Sequence, residues 1–263
     1  MRDQLTSRFV RLLAAAALIN LVGAQILHEV GHWLVLTVTG RSPVWGLTAM
    51  IQLSDRAPVD PTGWSQLVSP TGDVSWLYLG SLPSSDAEWA IMLAAGPLMQ
   101  VLAVGVGLLM AARAASPRAR AFGLLLALVN GLSHGLYQMI SSIRGGGSDE
   151  ALLAEYTGLP WWLFAVVFGA AAAAGFVVAV RMMSGGPARR SWVGAAFLGS
   201  LATGPLFMRL QGLMIDGVDR GDALYSPILG FTLPIVVLTV LGVAGMWWVF
   251  RRWPIAAMDS VAT

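Results

Sequence analysis

The apolar positions of this 263-residue chain fall into long blocks, not the short alternating runs of a half-buried sheet. Six blocks stand out, at about 10–39, 88–112, 121–143, 160–182, 191–213 and 226–250. Each holds the roughly 20 helical residues that cross a ~30 Å hydrocarbon core. The pattern predicts an all-α, polytopic membrane protein with about six transmembrane helices. The first block follows Arg2, Arg8 and Arg11 and so imitates a signal peptide. Its apolar stretch continues past Ala24 to Val38, longer than an ordinary signal core, which predicts an uncleaved first span.

Only the first connection, about 40–87, shows a different period. In "VWGLTAMIQL" the residues Trp45, Leu47, Ala49, Ile51 and Leu53 fall at every second position and would share one face of a strand over 44–53. "VSWLYLG" (74–80) is expected to pair with it across the Pro- and Gly-rich "APVDPTG", giving a small β-hairpin in this loop. The competing expectation is an irregular amphipathic loop on the membrane surface. Further along, "GAAAAAG" (169–175) reads as a small-residue helix-packing face.

Composition turns this pattern into a class. The chain is 56% hydrophobic and 11% charged, with a mean hydropathy of +0.70, whereas a soluble domain carries about a quarter charged residues. One integral-membrane domain, 1–263, accounts for the length, with a core at about 10–158 and additional packing helices at about 160–252. All 16 basic residues are arginines. They cluster at the ends of the apolar blocks and form no basic patch for nucleic acid. Arg2, Arg8, Arg11, Arg113, Arg118, Arg120, Arg181, Arg189, Arg190, Arg251 and Arg252 fall on one side of the six-span arrangement. Arg41, Arg56, Arg144, Arg209 and Arg220 fall on the other, with every acid except Asp3, Glu29 and Asp259. This asymmetry predicts a multi-pass protein, of a bacterial cell membrane, with both termini cytoplasmic. With no cysteine, thiolate catalysis, disulfides and thiolate metal sites are excluded. A metal would have to use His, Asp, Glu or water.

The first block breaks its own apolarity at "HEVGH", residues 28–32. On a helix, positions i and i+4 share a face with Cβ atoms ~5–6 Å apart, so His28 and His32 can bind one tetrahedral Zn²⁺. Glu29 projects beside such an ion without being its natural ligand. It is placed to take a proton from the attacking water and return it to a leaving amine. Gly31 is expected to leave open space near the metal. The competing reading is a pair of histidines packed between helices. Ionisable residues inside a span are costly, and the chain has only three histidines in all, which favours the functional reading.

With these residues the sequence resembles the site-2 protease family of intramembrane zinc metallopeptidases. The resemblance rests on His28-Glu29-Val30-Gly31-His32, on Gly40 just beyond, and on "AAGPLMQ" (94–100), close to the family's Ala-Gly-Pro-x-x-Asn signature. It covers about 130 residues. It implies a zinc peptidase that cuts membrane-embedded helical protein or peptide substrates within the lipid bilayer, with one Zn²⁺ on His28 and His32 and Glu29 as catalytic base. Gln100 stands where the family usually has Asn. The family's third ligand is an Asp in an Asn-x-x-Pro…Leu-Asp-Gly stretch. Here the matching region, "NGLSHGLYQMISSIRGGGSDEALL", keeps Asn130 and Asp149 but lacks the proline and the glycine after Asp. In the best-known members the metal site lies toward the cytosol, while the arginine distribution places this one toward the opposite leaflet.

Three residues compete to be the third ligand. Asp149 follows a Gly run at 145–147 that would let it turn back toward the histidines, and its competing role is to cap the helix that Gly158 closes. His134 lies one turn after Asn130 on the same face, and Glu150 adjoins Asp149. Asn130 and His134 are alternatively expected to hold substrate or stabilise an oxyanion. Asp216, Asp219 and Asp222 miss the calcium-loop spacing and read as a solvated loop. Two functions remain in competition: an intramembrane zinc endopeptidase, and a metal-binding membrane protein without peptidase activity, whether transporter, sensor or degenerate family member.

Overall fold

The structure is a computed structural model. It describes residues 2–41, 43–46, 53–54, 57, 61–62, 64–68, 74–78, 82–138, 149–183, 185–225, 228 and 230–252. The chain is an all-α polytopic bundle. The first span is α1 (Arg2–Ile19), a π-helical segment (Asn20–Ile26) and α2 (Leu27–Val38) in unbroken succession. Then come α3 (Asp86–Arg113), α4 (Pro117–Leu132) with a second π-helical segment (Ser133–Gln138), the short α5 (Asp149–Thr157), α6 (Trp161–Arg181), α7 (Gly186–Asp219) and α8 (Leu233–Arg251).

Among the described residues five helices are long and apolar enough to cross a membrane, one fewer than the sequence blocks suggest. The difference is α4. Its α-helical part has 16 residues, and the π-helical turn continues it to Gln138. Every residue from Gly123 to Leu132 is buried. A helix apolar on all sides belongs in the centre of a bundle, and α4 packs against α3, α6 and α7. Close approach is set by small residues. A Cβ on Gly123 would meet the Gly107 carbonyl of α3 at 2.6 Å, and one on Gly131 the Ala172 carbonyl of α6 at 2.9 Å. The small-residue stripe of α6 is therefore a packing face, as expected.

Leu12, Ala121, Met183, Trp192 and Phe250 meet in one cluster, so the helix ends that carry most of the arginines lie together. Arg120 and Arg189 turn back there to donate Nε–H to the carbonyls of Ala114 (2.7 Å) and Met183 (2.9 Å). Arg251 and Arg252 lie over Trp247 and Trp248, each 4.8 Å from the ring centroid. Such pairs suit the boundary between hydrocarbon and water.

The first loop does hold strands, but the pairing differs from the expected hairpin. β3 (Val74–Tyr78) is central in an antiparallel order β1-β3-β2, with β1 (Leu53–Ser54) on one side and β2 (Trp64–Val68) on the other. Leu53 pairs with Leu77 and Trp64 with Tyr78. β2 is the longer partner, and the pattern reading passed over it because "WSQLV" comes directly after the turn signal. Of the segment 44–53, residues 47–52 lie outside the described residues. Trp45 instead bridges Phe231 just before α8, its N–H donating to the Gly230 carbonyl at 2.8 Å. Asp216 and Asp219 are a second correction, because α7 runs on through them.

Candidate metal centre

The C-terminal end of α2 sets the direction in which the chain leaves the first span. Gly40 has φ +79°, a left-handed conformation costly for other residues. Its N–H reaches the Thr37 carbonyl (3.1 Å) and the Arg41 N–H reaches that of Leu36 (2.8 Å), the Schellman pattern. Arg41 is thereby turned toward α3, where Nε and Nη2 donate to the two carboxylate oxygens of Glu88 at 2.9 and 2.8 Å. Glu88 also receives Ser84 N–H and Oγ–H, and its own N–H is capped by Ser85. The paired carboxylate holds the Arg41 guanidinium still more firmly protonated than usual, against the smaller effect of its burial. A bidentate clamp thus ties the end of α2 to the start of α3.

Below this clamp the two helices touch backbone to backbone. A Cβ on Gly31 would run into the Ala95 carbonyl, and one on Gly96 would strike both imidazoles, including His28 Nε2 at 2.7 Å. Gly31 therefore leaves no open space at the site, contrary to expectation. Its lack of a side chain is filled by α3, and Gly96 is what makes room for the histidine rings.

Asp149, the first residue of α5, comes back to this spot. Its Oδ2 lies 2.9 Å from His28 Nε2 and 3.3 Å from His32 Nε2, and the two Nε2 atoms are 3.1 Å apart. His32 Nδ1 sits 2.7 Å from the Met92 carbonyl. A carbonyl only accepts, so Nδ1 carries the proton and the Nε2 lone pair faces inward. Ligand atoms about 2.0–2.1 Å from one tetrahedral ion lie about 3.3 Å from each other. The three observed separations, 2.9, 3.1 and 3.3 Å, match that triangle. Two imidazoles and one carboxylate are a donor set suited to zinc, so the residues present fit the ion. Among the described residues this is the one group of three such side chains able to hold a metal.

Glu29 is 2% exposed, and its Oε2 has no hydrogen-bond partner among the described residues. A buried carboxylate oxygen left open is expensive and is accounted for if it meets something absent from the protein chain, such as a water molecule. The remaining candidates divide. Glu150 is fully buried and faces His134, with Oε1 3.9 Å from Nε2. Neither belongs to the three-donor group. His134 sits on the second π-helical turn with its ring edge-on to Phe168. Asn130 is fully buried, its Nδ2 donating to the Leu126 carbonyl at 3.0 Å and its Oδ1 without a hydrogen-bond partner among the described residues. Gln100 reaches the Ala24 carbonyl of the first π-helical segment at 3.5 Å. Gly158 closes α5 with φ +68°. The Gly run at 145–147 lies outside the described residues.

Comparison with protein-family profiles, with curated proteins and with solved structures finds no match. Three features escaped the sequence reading: the Met92 carbonyl, the Arg41–Glu88 clamp and the π-helical segment ahead of His28. For the last there was a signal, since Asn20 and Gln25, both inside that segment, interrupt an otherwise apolar run.

Proposed function

We propose that this protein is a membrane-embedded zinc endopeptidase, similar in kind to the site-2 proteases, acting on membrane-embedded protein or peptide substrates. The observation that carries the reading is the return of Asp149, from a separate helix, to the i, i+4 histidine pair at ligand spacing. His28, His32 and Asp149 would hold the ion. When bound, zinc would polarise the scissile carbonyl and acidify water at neutral pH. Glu29 would accept the proton of the attacking water and deliver it to the departing amine. The clamp and the Gly31–Gly96 crossing keep the histidine-bearing helix fixed during this exchange.

The histidines lie 6 and 10 residues before Val38, about 9–15 Å along the helix from its end. That depth suits a peptide bond inside the bilayer and not one in a soluble loop. A helix hides its carbonyls, so the substrate must be locally unwound. An edge strand of the first-loop sheet, β1 or β2, would supply main-chain pairing for such a segment.

The test is metal content beside cleavage of single-span peptides in proteoliposomes. Wild type should carry about one zinc, and His28→Ala or His32→Ala none. Glu29→Gln should keep the metal and lose roughly 10²–10⁴-fold in rate. Full activity in Glu29→Gln would rule out this hydrolysis. Metal retention without cleavage of any peptide in wild type would favour the non-peptidase metal-binding reading. For orientation, the arginine-rich ends are proposed to face the cytoplasm of a bacterial cell, with both termini inside. Reporters fused after Arg118 and Arg190 should then read cytoplasmic, and those at Asp60 and Asp219 the opposite; a cytoplasmic reading at Asp60 inverts the arrangement.

A further inference from the structure

The segment Asn20–Ile26 is π-helical, a form that is rare and appears mostly as single turns carrying one extra residue, often at functional sites. Its consequence here is rotational. At about 100° per residue, the positions that α1 buries, Leu12, Ala15, Ala16 and Ile19, point to one side. An uninterrupted α-helix would then carry His28 and His32 to the opposite side, about 180° away. One inserted residue takes back about 100° and leaves them about a quarter-turn from that face. The face that the histidines present to Gly96 and Asp149 thus depends on this one turn.

A π-turn needs something to hold it, because the α-helix is the better-bonded alternative. At its first residue, Asn20 is 2% exposed and donates Nδ2–H to Thr203 Oγ1 of α7 at 2.7 Å. The Thr203 hydroxyl is in turn anchored within 2.9 Å of the Gly199 carbonyl. Gly199 brings α7 into reach, since a Cβ there would lie 2.9 Å from the Ala16 Cβ and the Ala17 nitrogen. In a hydrocarbon interior no solvent competes for this bond, and relaxing the turn would leave the buried Asn20 amide without its acceptor.

We propose that the Asn20–Thr203 hydrogen bond is a register lock: it holds the π-turn and so makes Asn20 and Thr203 positioning residues for the His28/His32 pair. α7, which contributes no ligand, would act on the site through this bond. The consequence for metal rests on the proposed zinc site, whereas the lock itself is a statement about helix register.

Two measurements on the full-length protein test it. The chain has no cysteine, so spin labels can be placed at Val38→Cys and Ile91→Cys, 77% and 61% exposed on α2 and α3. Asn20→Leu, or the isosteric Thr203→Val should Asn20→Leu fail to fold, is expected to shift or split the label distance. The new population should lie about 8 Å away, as a ~100° turn of a helix 10–12 Å across requires. The exchange Asn20→Thr with Thr203→Asn, which restores a donor–acceptor pair, should return the wild-type distance. In the second measurement, the single variants should bind Co²⁺ at least 10-fold more weakly with an altered d–d spectrum, and the exchange should recover both. An unchanged label distance in both single variants would overturn the lock. Wild type that takes up no cobalt would remove the metal reading and leave the label distance to decide the lock.

Discussion

The first and last spans are both apolar helices, yet they use their faces differently. The first buries Asn20, His28, Glu29 and His32 along with its aliphatic core residues. α8 buries Ile235, Gly242, Val249 and Phe250 and leaves Leu233, Val236, Val240, Leu241 and Trp247 outward. In α3, the partner of the first span, 44% of the apolar stretch is buried, against 22% in α8. Lipid is as apolar as leucine and drives no helix together by itself. Polar side chains are therefore tolerable only where protein surrounds them, and the first span acquires that surrounding from α3, α4 and α7 together. The well-enclosed region is the one able to carry chemistry. The lipid-facing region anchors it.

The sharpest way to break this comparison is at the donor triangle. Asp149→Ala should weaken metal binding by more than the roughly 10–100-fold that loss of an outer partner costs, because it removes one of the three proposed ligands. His134→Ala should leave the metal within about 10-fold, since His134 points to Glu150 and stands outside the triangle. Isothermal titration of the metal-free protein with zinc compares the two. The reverse order would transfer the ligand role to His134.

A smaller effect is expected at the helix crossing. Gly96→Ala places a methyl group against both imidazoles, and His32 cannot retreat without losing its bond to the Met92 carbonyl. Zinc affinity should fall about 10–100-fold, with a stability loss of about 1–3 kcal/mol from overpacking. Gly105→Ala on the same helix, where a Cβ meets nothing, should change neither. Helix propensity favours alanine at both positions, so equal losses at Gly96 and Gly105 would mean that the ring contact does not decide.

These two glycines also mark how far the sequence could be read. The helices were legible because apolar blocks of spanning length have few other uses, and His28, Glu29 and His32 because their spacing is local to one helix. Asp149 could be named only as one of three candidates. Its approach joins a residue of α5 to two on α2, more than a hundred positions earlier, and nothing local to it says which way it turns. β2 went unseen because five residues beside a turn hold too short an alternation. The rotation of α2 relative to α1 was illegible for a deeper reason. A π-turn differs from an α-turn by one residue's worth of phase, and what stabilises it, Thr203, lies on α7 at the far end of the chain. The clamp at Glu88 is of the same kind: Ser85 caps the Glu88 N–H locally, while Arg41 reaches Glu88 across the first loop.

The smallest expected effect separates the two regions by packing alone. Leu124 is fully buried in the centre of the bundle, and Leu241 on α8 is 63% exposed. In water, removing either side chain to alanine would lose some hydrophobic transfer energy. In lipid that contribution nearly vanishes, because hydrocarbon replaces hydrocarbon. What remains is the cavity. Leu124→Ala leaves an unfilled space in the central core cluster, worth about 1–3 kcal/mol, while lipid chains fill the space left by Leu241→Ala, which should stay within about 0.5 kcal/mol of wild type. Unfolding in mixed micelles, followed by far-UV circular dichroism, measures both. A loss at Leu241 as large as that at Leu124 would mean that the outer face of α8 is packed against protein, and the contrast between the enclosed core and its lipid-facing anchor would have to be redrawn.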